Sequence, residues 1–321
     1  MSKDDARNER ETAEFIPLAR RAAQFYETGP KVRAQVEVAG RTHPGKVREN
    51  NEDNYIAVRR YRGRKVLVSS IPEEIFDPSE EHAYTFAVAD GLGGCNFGEL
   101  ASLLAMRTGW DLGGNEIKWA MKMNEEEVEE MRQKAETFFH LIDETLRAEV
   151  RRYPRLAGMG TTLTVCYSSG PELFVMNVGD SRAYLYRHGA LQRLTRDHTL
   201  GQLLVDSGKA EPDSVEVRRM RHVLTNVLGG PGKAVSVDIH HQKLQDNDSL
   251  LLCTDGLTDM VGDDDIAALL ARHPNLTDAS SALVDLALEN GGKDNVTVLL
   301  ARYQIEDGPV DADEPGATLP G

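Results

Sequence analysis

The stretch Tyr84-Thr-Phe-Ala-Val-Ala-Asp90, which runs into Gly91-Leu-Gly-Gly94, decides the fold. Its apolar residues form a nearly continuous run, which is typical of a strand buried on both faces. A single Asp-Gly pair usually marks only a turn. The pattern recurs, however, where Ser249-Leu-Leu-Leu-Cys-Thr-Asp255 runs into Gly256-Leu257. We therefore expect two buried strands that each deliver a carboxylate to the end of a sheet.

Other strands carry acids at their ends in the same way. Leu173-Phe-Val-Met-Asn-Val-Gly-Asp180 ends in one, and Glu52-Asp53 lies just before another strand. Asp294 precedes the predicted strand 296–303 instead of following it. If that strand is antiparallel to the others, Asp294 arrives at the same end of the sheets.

Carboxylates that converge repel each other and lose solvation, so a fold that gathers them usually binds cations there. Oxygen ligands favour Mg²⁺, Mn²⁺ or Ca²⁺. A zinc site would need His or Cys at ligand spacing, and none lies near these acids. Asp263-Asp264-Asp265 lacks the alternating ligands of an EF-hand and is better explained as the first turn of a helix.

Carboxylate-bridged Mg²⁺ or Mn²⁺ ions point to phosphate chemistry, since they activate water and hold the attacking and leaving oxygens in line. Arg48, four residues before Glu52, is suited to bidentate phosphate contacts. The chain has no G-x-S-x-G elbow, so water is the better nucleophile. Residues 91–96 do not fit a dinucleotide loop, and residues 227–234 do not fit a P-loop.

The order of predicted elements favours an α+β fold with mostly antiparallel sheets, because strands and helices do not alternate regularly. The predicted strands are 34–39, 55–58, 65–68, 84–89, 161–167, 173–178, 183–187, 249–254 and 296–303. The predicted helices are 97–111, 125–152, 263–271 and 277–290.

The two ends of the chain differ from its middle. Residues 1–33 form a predicted helical extension, with Phe15, Leu18, Ala22 and Tyr26 at helical spacing, which either packs on the main domain (34–303) or docks a partner; we favour packing. Residues 304–321 hold five acids, no base and three prolines, which predicts an acidic disordered tail.

Composition excludes several classes of protein. With 37 Lys+Arg against 52 Asp+Glu, the net charge of −15 argues against binding to nucleic acid or to anionic lipid. No run of about 18 apolar residues is present, so no membrane span is predicted. Cys95, Cys166 and Cys253 are dispersed, as expected of reduced thiols in a cytoplasmic protein.

The residues resemble one family, the metal-dependent type 2C (PPM) Ser/Thr protein phosphatases, in the form usual among bacteria. Eight short motifs occur in the family's order over about residues 34–303. They are Gly45-Lys-Val-Arg48-Glu-Asn-Asn-Glu52-Asp53, Ala89-Asp90-Gly91-Leu92-Gly93-Gly94, Gly160-Thr161-Thr162-Leu163, Val178-Gly179-Asp180-Ser181-Arg182, Leu194-Thr-Arg-Asp197-His198, Leu224-Thr-Asn-Val-Leu228-Gly229, Thr254-Asp255-Gly256-Leu257-Thr258-Asp259 and Lys293-Asp294-Asn295-Val296-Thr297.

The resemblance implies a four-layer α-β-β-α sandwich of two antiparallel sheets flanked by helices. It also implies two Mn²⁺ or Mg²⁺ ions at one end, with a third, weaker ion in bacterial members. The implied roles are Asp90 as the bridging ligand, the Gly91 carbonyl at the second ion, Asp255 and Asp294 at the first ion, Glu52 and Asp53 at metal-bound waters or the second ion, Asp180 with Asp255 at the third ion, and Arg48 at the substrate phosphate. Thr161 and Thr162 would be structural.

The implied function is that of a protein-serine/threonine phosphatase. A water molecule that bridges the ions would hydrolyse phosphoserine and phosphothreonine in proteins, with Arg48, Asp90 and Asp255 as catalytic residues. The substrates would be products of a Ser/Thr kinase, and we expect a monomer. The alternative is a catalytically inactive, phosphatase-like binding or regulatory module, which the retained Asp90, Asp255 and Asp294 disfavour. A metal-dependent nuclease conflicts with the acidic composition.

Leu92 departs from the family pattern. Many eukaryotic members have a His there, proposed as the general acid, and a leucine cannot donate a proton. His198 and His222 lie just before and within the variable flap of the family, where we favour structural roles. The cluster Arg218-Arg219-Met-Arg221 either contacts anionic substrate or lies free at the surface, and the sequence does not decide between these.

Overall fold

Two antiparallel sheets form the centre of the protein in the computed structural model, which describes residues 33–62, 67–68, 81–93, 97–113, 125–232 and 234–306. With strands numbered in chain order, the first sheet has the order β1-β11-β10-β7-β8 and the second β2-β3-β5-β6-β9, with β4 paired to β3. The strands are β1 Arg33–His43, β2 Asp53–Arg62, β3 Glu81–Leu92, β4 Gly160–Thr161, β5 Leu163–Ser169, β6 Glu172–Val178, β7 Arg182–Arg187, β8 Ala190–Arg193, β9 Asp238–Lys243, β10 Ser249–Cys253 and β11 Val296–Glu306.

Helices cover the outer faces of both sheets. Helices α1 and α2 pack on the second sheet, while α5, α6 and α7 pack on the first. Helices α3 and α4 belong to the segment between β8 and β9. The helices are α1 Phe97–Gly113, α2 Glu125–Arg152, α3 Leu200–Asp206, α4 Val215–Met220, α5 Asp255–Thr258, α6 Asp263–Arg272 and α7 Leu276–Glu289, with a 3-10 turn at Pro154–Leu156.

Strand β3 is buried on both faces, as its apolar run predicts. Tyr84 and Phe86 point into the core between the two sheets. Ala83 and Ala87 alternate with them and face the core under α1 and α2. Small residues on the helix side let the helices approach the sheet closely, and large ones on the other side fill the space between sheets. The predicted four-layer α-β-β-α sandwich is confirmed.

The structure differs from the predicted strands at the ends of some of them, and it contains two strands that were not predicted. Strand β11 ends at Glu306, not at 303, because residues 304–306 pair with residues 33–35 of β1. The predicted strand 161–167 is interrupted at Thr162, and β8 and β9 were not predicted because β8 is short and β9 (Asp-Ile-His-His-Gln-Lys) is largely polar. Outside the described residues lie residues 1–32 of the predicted extension 1–33, residues 65–66 of the predicted strand 65–68, the tail from 307 onward and Cys95. Leu67 and Val68 are described and form a bend, so the predicted strand is wrong at these two residues.

Within the described ranges, every helix is either too short or too polar to cross a membrane.

Candidate metal centre

The register of the strands brings the predicted acids to one end of both sheets. In the second sheet, Asp53 at the start of β2 lies opposite Asp90 near the end of β3. In the first sheet, β10 and β11 are antiparallel, so Asp255 after β10 and Asp294 before β11 meet at the same edge. The expected reversal of the last strand is therefore present.

The Asp53 carboxylate is oriented from the first sheet. Its Oδ2 accepts hydrogen bonds from Thr254 Oγ1 at 2.8 Å and from Thr297 Oγ1 at 2.7 Å. The side chain is only 5% exposed, and its Oδ1 is buried without a hydrogen-bond partner among the described residues. A buried carboxylate oxygen without a donor is costly unless a cation neutralises it.

Asp255 also has a buried carboxylate oxygen without a hydrogen-bond donor among the residues described. It begins the short helix α5 directly after β10, and its Oδ1 is also buried with no donor in the described part of the chain. Burial is the main cause that raises the pKa of Asp255 well above its ordinary value, and repulsion from Asp180 and Asp259 adds to it. Two orphaned carboxylate oxygens in one cluster fit a site for hard cations.

The backbone at Asp90 is held by the two threonines that the resemblance marks as structural. The Asp90 N–H donates to Thr162 Oγ1 at 2.9 Å, and its carbonyl accepts from the Thr162 N–H at 2.9 Å and from Thr161 Oγ1 at 2.8 Å. Thr162 Oγ1 is also 2.8 Å from Ser181 Oγ, beside Asp180. This network fixes the position of Asp90 relative to the Asp180 loop.

Repulsion within the cluster is visible in the pKa values. Burial, followed by the charges of Asp53 and Asp255, raises the pKa of Asp90 well above its usual range. Burial raises the pKa of Asp53 to about 7, although its two threonine donors oppose the shift. Burial and the nearby Asp197 raise the pKa of Asp180 to about 7. The fully ionised cluster is therefore unfavourable until positive charge is added.

Asp180 is positioned through Gly179 and His198. Gly179 has a φ of +110°, and a Cβ there would lie 2.5 Å from Thr162 Cβ, so a glycine is required. The Gly179 N–H donates to His198 Nδ1 at 3.1 Å, and His198 Nε2 lies 3.1 Å from Asp238 Oδ2. These contacts support the structural role expected for His198.

Glu52 lies where the second sheet meets helix α1. Its carbonyl accepts from Ser102 Oγ at 2.6 Å, and burial raises the pKa of its carboxyl. A Cβ at Gly98 would lie 2.4 Å from Glu52 Oε2, and a Cβ at Gly91 would lie 2.1 Å from the Gly98 carbonyl oxygen. Helix α1 thus approaches the end of β3 closely, next to the predicted backbone ligand at Gly91.

Arg48 lies at the exposed rim of the cluster. Its Nη2 donates to Asp294 Oδ2 at 2.7 Å, and its side chain is 57% exposed. The hydrogen bond and charge of Asp294 raise the pKa of Arg48, so the guanidinium stays charged. Leu92 pairs with Gly160 at the end of β3 and supplies no proton.

Asn295 is a positioning residue that residue-by-residue prediction missed. Its Oδ1 accepts from the Glu52 N–H at 2.8 Å, while its Nδ2 donates to the carbonyls of Pro44 and Asn50 at 2.9 and 2.8 Å. It therefore fixes the loop that carries Arg48 and Glu52. The only signal for it in the sequence was its place beside Asp294.

A second set of ligand atoms was also missed. His222, Asp255 and Asp259 each have a potential ligand atom within 4.8 Å of those of the other two. His222 Nδ1 lies 3.2 Å from Asp259 Oδ2. Asp259 stands in one of the quoted motifs, but the spacing alone assigned it no role.

A model of the protein phosphatase 2C family matches residues 76–289. The chain belongs to the protein phosphatase 2C family. This confirms the family resemblance that the ordered motifs indicate.

This protein phosphatase 2C member is similar in sequence to bacterial serine/threonine phosphatases. The chain is 31% identical to the serine/threonine protein phosphatase PstP of Mycobacterium tuberculosis, over 90% of this chain and 51% of that protein. It therefore spans about half the length of that relative. It is also 31% identical to the serine/threonine phosphatase stp of Listeria monocytogenes, over 83% of this chain and 95% of that protein.

Solved structures share the fold. The catalytic domain of PstP in complex with two manganese ions superposes with a TM-score of 0.65 and 30% identity, covering 85% of this chain and all of that domain. That neighbour holds manganese, and the carboxylate cluster here, with two unpartnered oxygen atoms among the described residues, fits an ion of this kind.

Proposed function

We propose that the chain is a metal-dependent protein-serine/threonine phosphatase, a hydrolase of phosphoserine and phosphothreonine esters in proteins. The observation that carries the proposal is the pair of buried oxygens, Asp53 Oδ1 and Asp255 Oδ1, that lack donors among the described residues. They lie within a cluster of carboxylates at one end of a protein phosphatase 2C fold. A bound cation would supply the positively charged partner that these two carboxylate oxygens lack.

The proposed ligand roles are those that the family resemblance implies, and the placement of the carboxylates supports them. Asp90 would bridge two ions, with Asp255 and Asp294 completing one and the Gly91 carbonyl, Asp53 and Glu52 serving the other directly or through water. A third, weaker ion would be held by Asp180 and Asp255, with Asp259 and His222 adjacent. When bound, the ions supply an acidified water and positive charge that offsets the phosphate.

Arg48 is the proposed phosphate-binding residue. Among the described residues, its side chain makes a single ion pair, with Asp294, and its high exposure leaves other N–H groups for a ligand at the rim. A guanidinium there can orient a phosphate through paired hydrogen bonds. Because Leu92 cannot act as an acid, the leaving oxygen would take its proton from water at the site or from another group.

The substrates in this proposal are phosphoproteins made by a Ser/Thr kinase, and the enzyme acts as a monomer in cytoplasmic signalling. The free, buried thiols of Cys166 and Cys253 agree with a reducing compartment.

Hydrolysis of p-nitrophenyl phosphate and of a phosphothreonine peptide tests the proposal. We expect turnover with Mn²⁺, loss of turnover with a chelator, and recovery when Mn²⁺ is restored. The melting temperature, measured in the same samples, reports metal binding separately. If Mn²⁺ raised the melting temperature while neither substrate was hydrolysed, the chain would be the inactive binding module instead.

The Arg48→Ala variant tests the phosphate contact. We expect KM for p-nitrophenyl phosphate to rise about tenfold, since a charge-assisted contact contributes about 1.4 kcal/mol or more. The matched control is Arg41→Ala, which removes another partly exposed arginine that pairs with an aspartate, Asp285, at 3.5 Å. Equal KM values in the two variants would show that Arg48 does not bind the substrate phosphate.

A further inference from the structure

Part of the segment between β8 and β9 forms a compact flap, defined here as residues 199–225. Its two ends are joined by hydrogen bonds from the Thr225 N–H to the His198 carbonyl at 2.9 Å and from the Leu200 N–H to the Val223 carbonyl at 2.8 Å. Thr199 and Leu224 pair as an isolated antiparallel bridge between them. The flap therefore has a fixed base beside the Asp180 loop.

Helix α4 has a fixed position within the flap. It packs on α3 at Gly201, where a Cβ would lie 2.8 Å from the Val217 carbonyl oxygen and 3.0 Å from the Arg221 nitrogen. Ser214 caps its first turn, since Ser214 Oγ accepts from the Val217 N–H at 3.3 Å. The close backbone contact leaves no room for a side chain between the two helices, so the orientation of α4 is specified.

The end of α4 reaches the rim of the metal centre. Arg221 Nη2 lies 3.3 Å from Asp259 Oδ1, and His222 Nδ1 lies 3.2 Å from the other Asp259 oxygen. Asp259 in turn belongs to the group of ligand atoms that includes Asp255. The residues just before Arg221 therefore lie on the helix that borders Asp259, at the rim of the proposed metal site.

Two of those residues carry positive charge that no acid within the described ranges neutralises. Arg218 and Arg219 are exposed, and across the described ranges neither makes an ion pair, although the whole chain has a net charge of −15. Arg182, by contrast, is paired with Asp197 at 2.6 Å. The two guanidiniums therefore place unpaired positive charge at the end of α4, with Glu216 in the first turn as the one acid of that helix.

Apolar side chains border this positive charge. Met220 is 37% exposed and Val223 is 46% exposed. Arginine beside exposed apolar side chains is typical of surfaces that bind a peptide, because charge gives selectivity and apolar burial adds affinity.

We propose that Arg218 and Arg219, with Met220 and Val223, form a docking surface for acidic residues that flank the phosphorylated residue of the substrate. The inference rests on the proposed phosphatase function and names the substrate class that it favours. A phosphate held at the metal centre places the neighbouring residues of the same peptide over the rim, where this surface meets them. Acidic side chains complement it in charge.

Binding of two fluorescent peptides tests the proposal by anisotropy. Both carry a non-hydrolysable phosphonate analogue of phosphoserine, and the flanking residues are Glu in one and Gln in the other. With Mn²⁺ present and low salt, we expect the native chain to bind the Glu peptide about two- to thirtyfold more tightly, the range for two exposed charge pairs. Added salt should reduce this preference.

The decisive comparison uses two double variants with the same change in net charge. Arg218→Ala/Arg219→Ala should lose the preference for the Glu peptide. Arg155→Ala/Arg272→Ala, which removes two exposed arginines outside the flap, should keep it. An equal preference in both variants, or none in the native chain, would overturn the proposal.

Two further measurements test the selectivity of the surface and the phosphatase activity separately. If a single-stranded oligonucleotide displaced the Glu peptide as well as unlabelled Glu peptide does, the surface would be a general polyanion site and the proposal would fail. Mn²⁺-dependent hydrolysis of p-nitrophenyl phosphate tests the phosphatase function on its own. Binding of the phosphonate peptides needs no turnover, so failure of one idea is distinguishable from failure of the other.

Discussion

The Asp90→Asn variant should hydrolyse p-nitrophenyl phosphate about a thousandfold more slowly than the unsubstituted chain, or not at all. Asp90 is the proposed bridge between two ions, and loss of a preorganised charge at a reacting centre has effects of about this size. The backbone contacts of Asp90 with Thr161 and Thr162 do not involve its carboxylate, so they persist in the variant.

The same variant should fold normally without metal. Burial and the charges of Asp53 and Asp255 disfavour the ionised form of Asp90, and the amide removes that repulsion. We therefore expect a melting temperature in chelator no lower than that of the native chain, together with a smaller increase on adding Mn²⁺. Asp264→Asn, an exposed acid in the first turn of α6, is the matched control and should keep turnover. Full Mn²⁺-dependent turnover by Asp90→Asn would refute the site assignment.

The metal-free protein should become less stable as the pH rises from about 5 to about 8. The pKa values of Asp53 and Asp180 are raised to about 7 in the folded chain, from an ordinary 3.8. Between these values the folded state holds protons that the unfolded state has released, so the free energy of unfolding falls with increasing pH. Because the acids are coupled, we expect a total loss of a few kcal/mol rather than the sum of independent shifts.

Saturating Mn²⁺ should oppose this trend, since the ions bind the ionised carboxylates. Its stabilisation should be larger near pH 8 than near pH 5, and an ion concentration of 100 Kd contributes about 2.7 kcal/mol. Urea unfolding at several pH values, in chelator and in Mn²⁺, measures both curves. The Asp53→Asn/Asp180→Asn variant should flatten the curve in chelator. Parallel curves with and without Mn²⁺ would show that these carboxylates do not bind the ion.

Much of the fold and the centre of the site followed from apolar runs that end in acids. The run before Asp90 predicted a strand buried on both faces, and Asp294 was expected to join the other acids if β11 were antiparallel, which it is. Polar partners were harder to predict. Thr254 and Thr297 both donate to Asp53, which lies more than 200 residues earlier in the chain. Such contacts depend on the packing of one sheet on the other, which local patterns do not report.

The unpredicted features share a related cause. Strand β9 is largely polar because it lies at the edge of the second sheet, so it lacks the apolar run of a central strand. The ion pair between Arg48 and Asp294 joins two loops 246 residues apart. Similarly, the proximity of His222 to Asp255 requires the flap to fold back on the rim. Spacing in the sequence cannot encode these distances.

The pairing of β11 with β1 also bears on when the protein can first act. Arg33 is opposite Glu306, and Asp294 and Asn295 immediately precede the strand that makes this pairing. A chain emerging from the ribosome presents Asp53 and Asp90 long before those last two side chains exist. The nascent polypeptide thus lacks part of the proposed metal site until nearly the whole domain has been synthesised, and closure of so distant a pair comes late in folding. The proposed phosphatase activity would therefore begin only after β11 has left the ribosome and paired with β1.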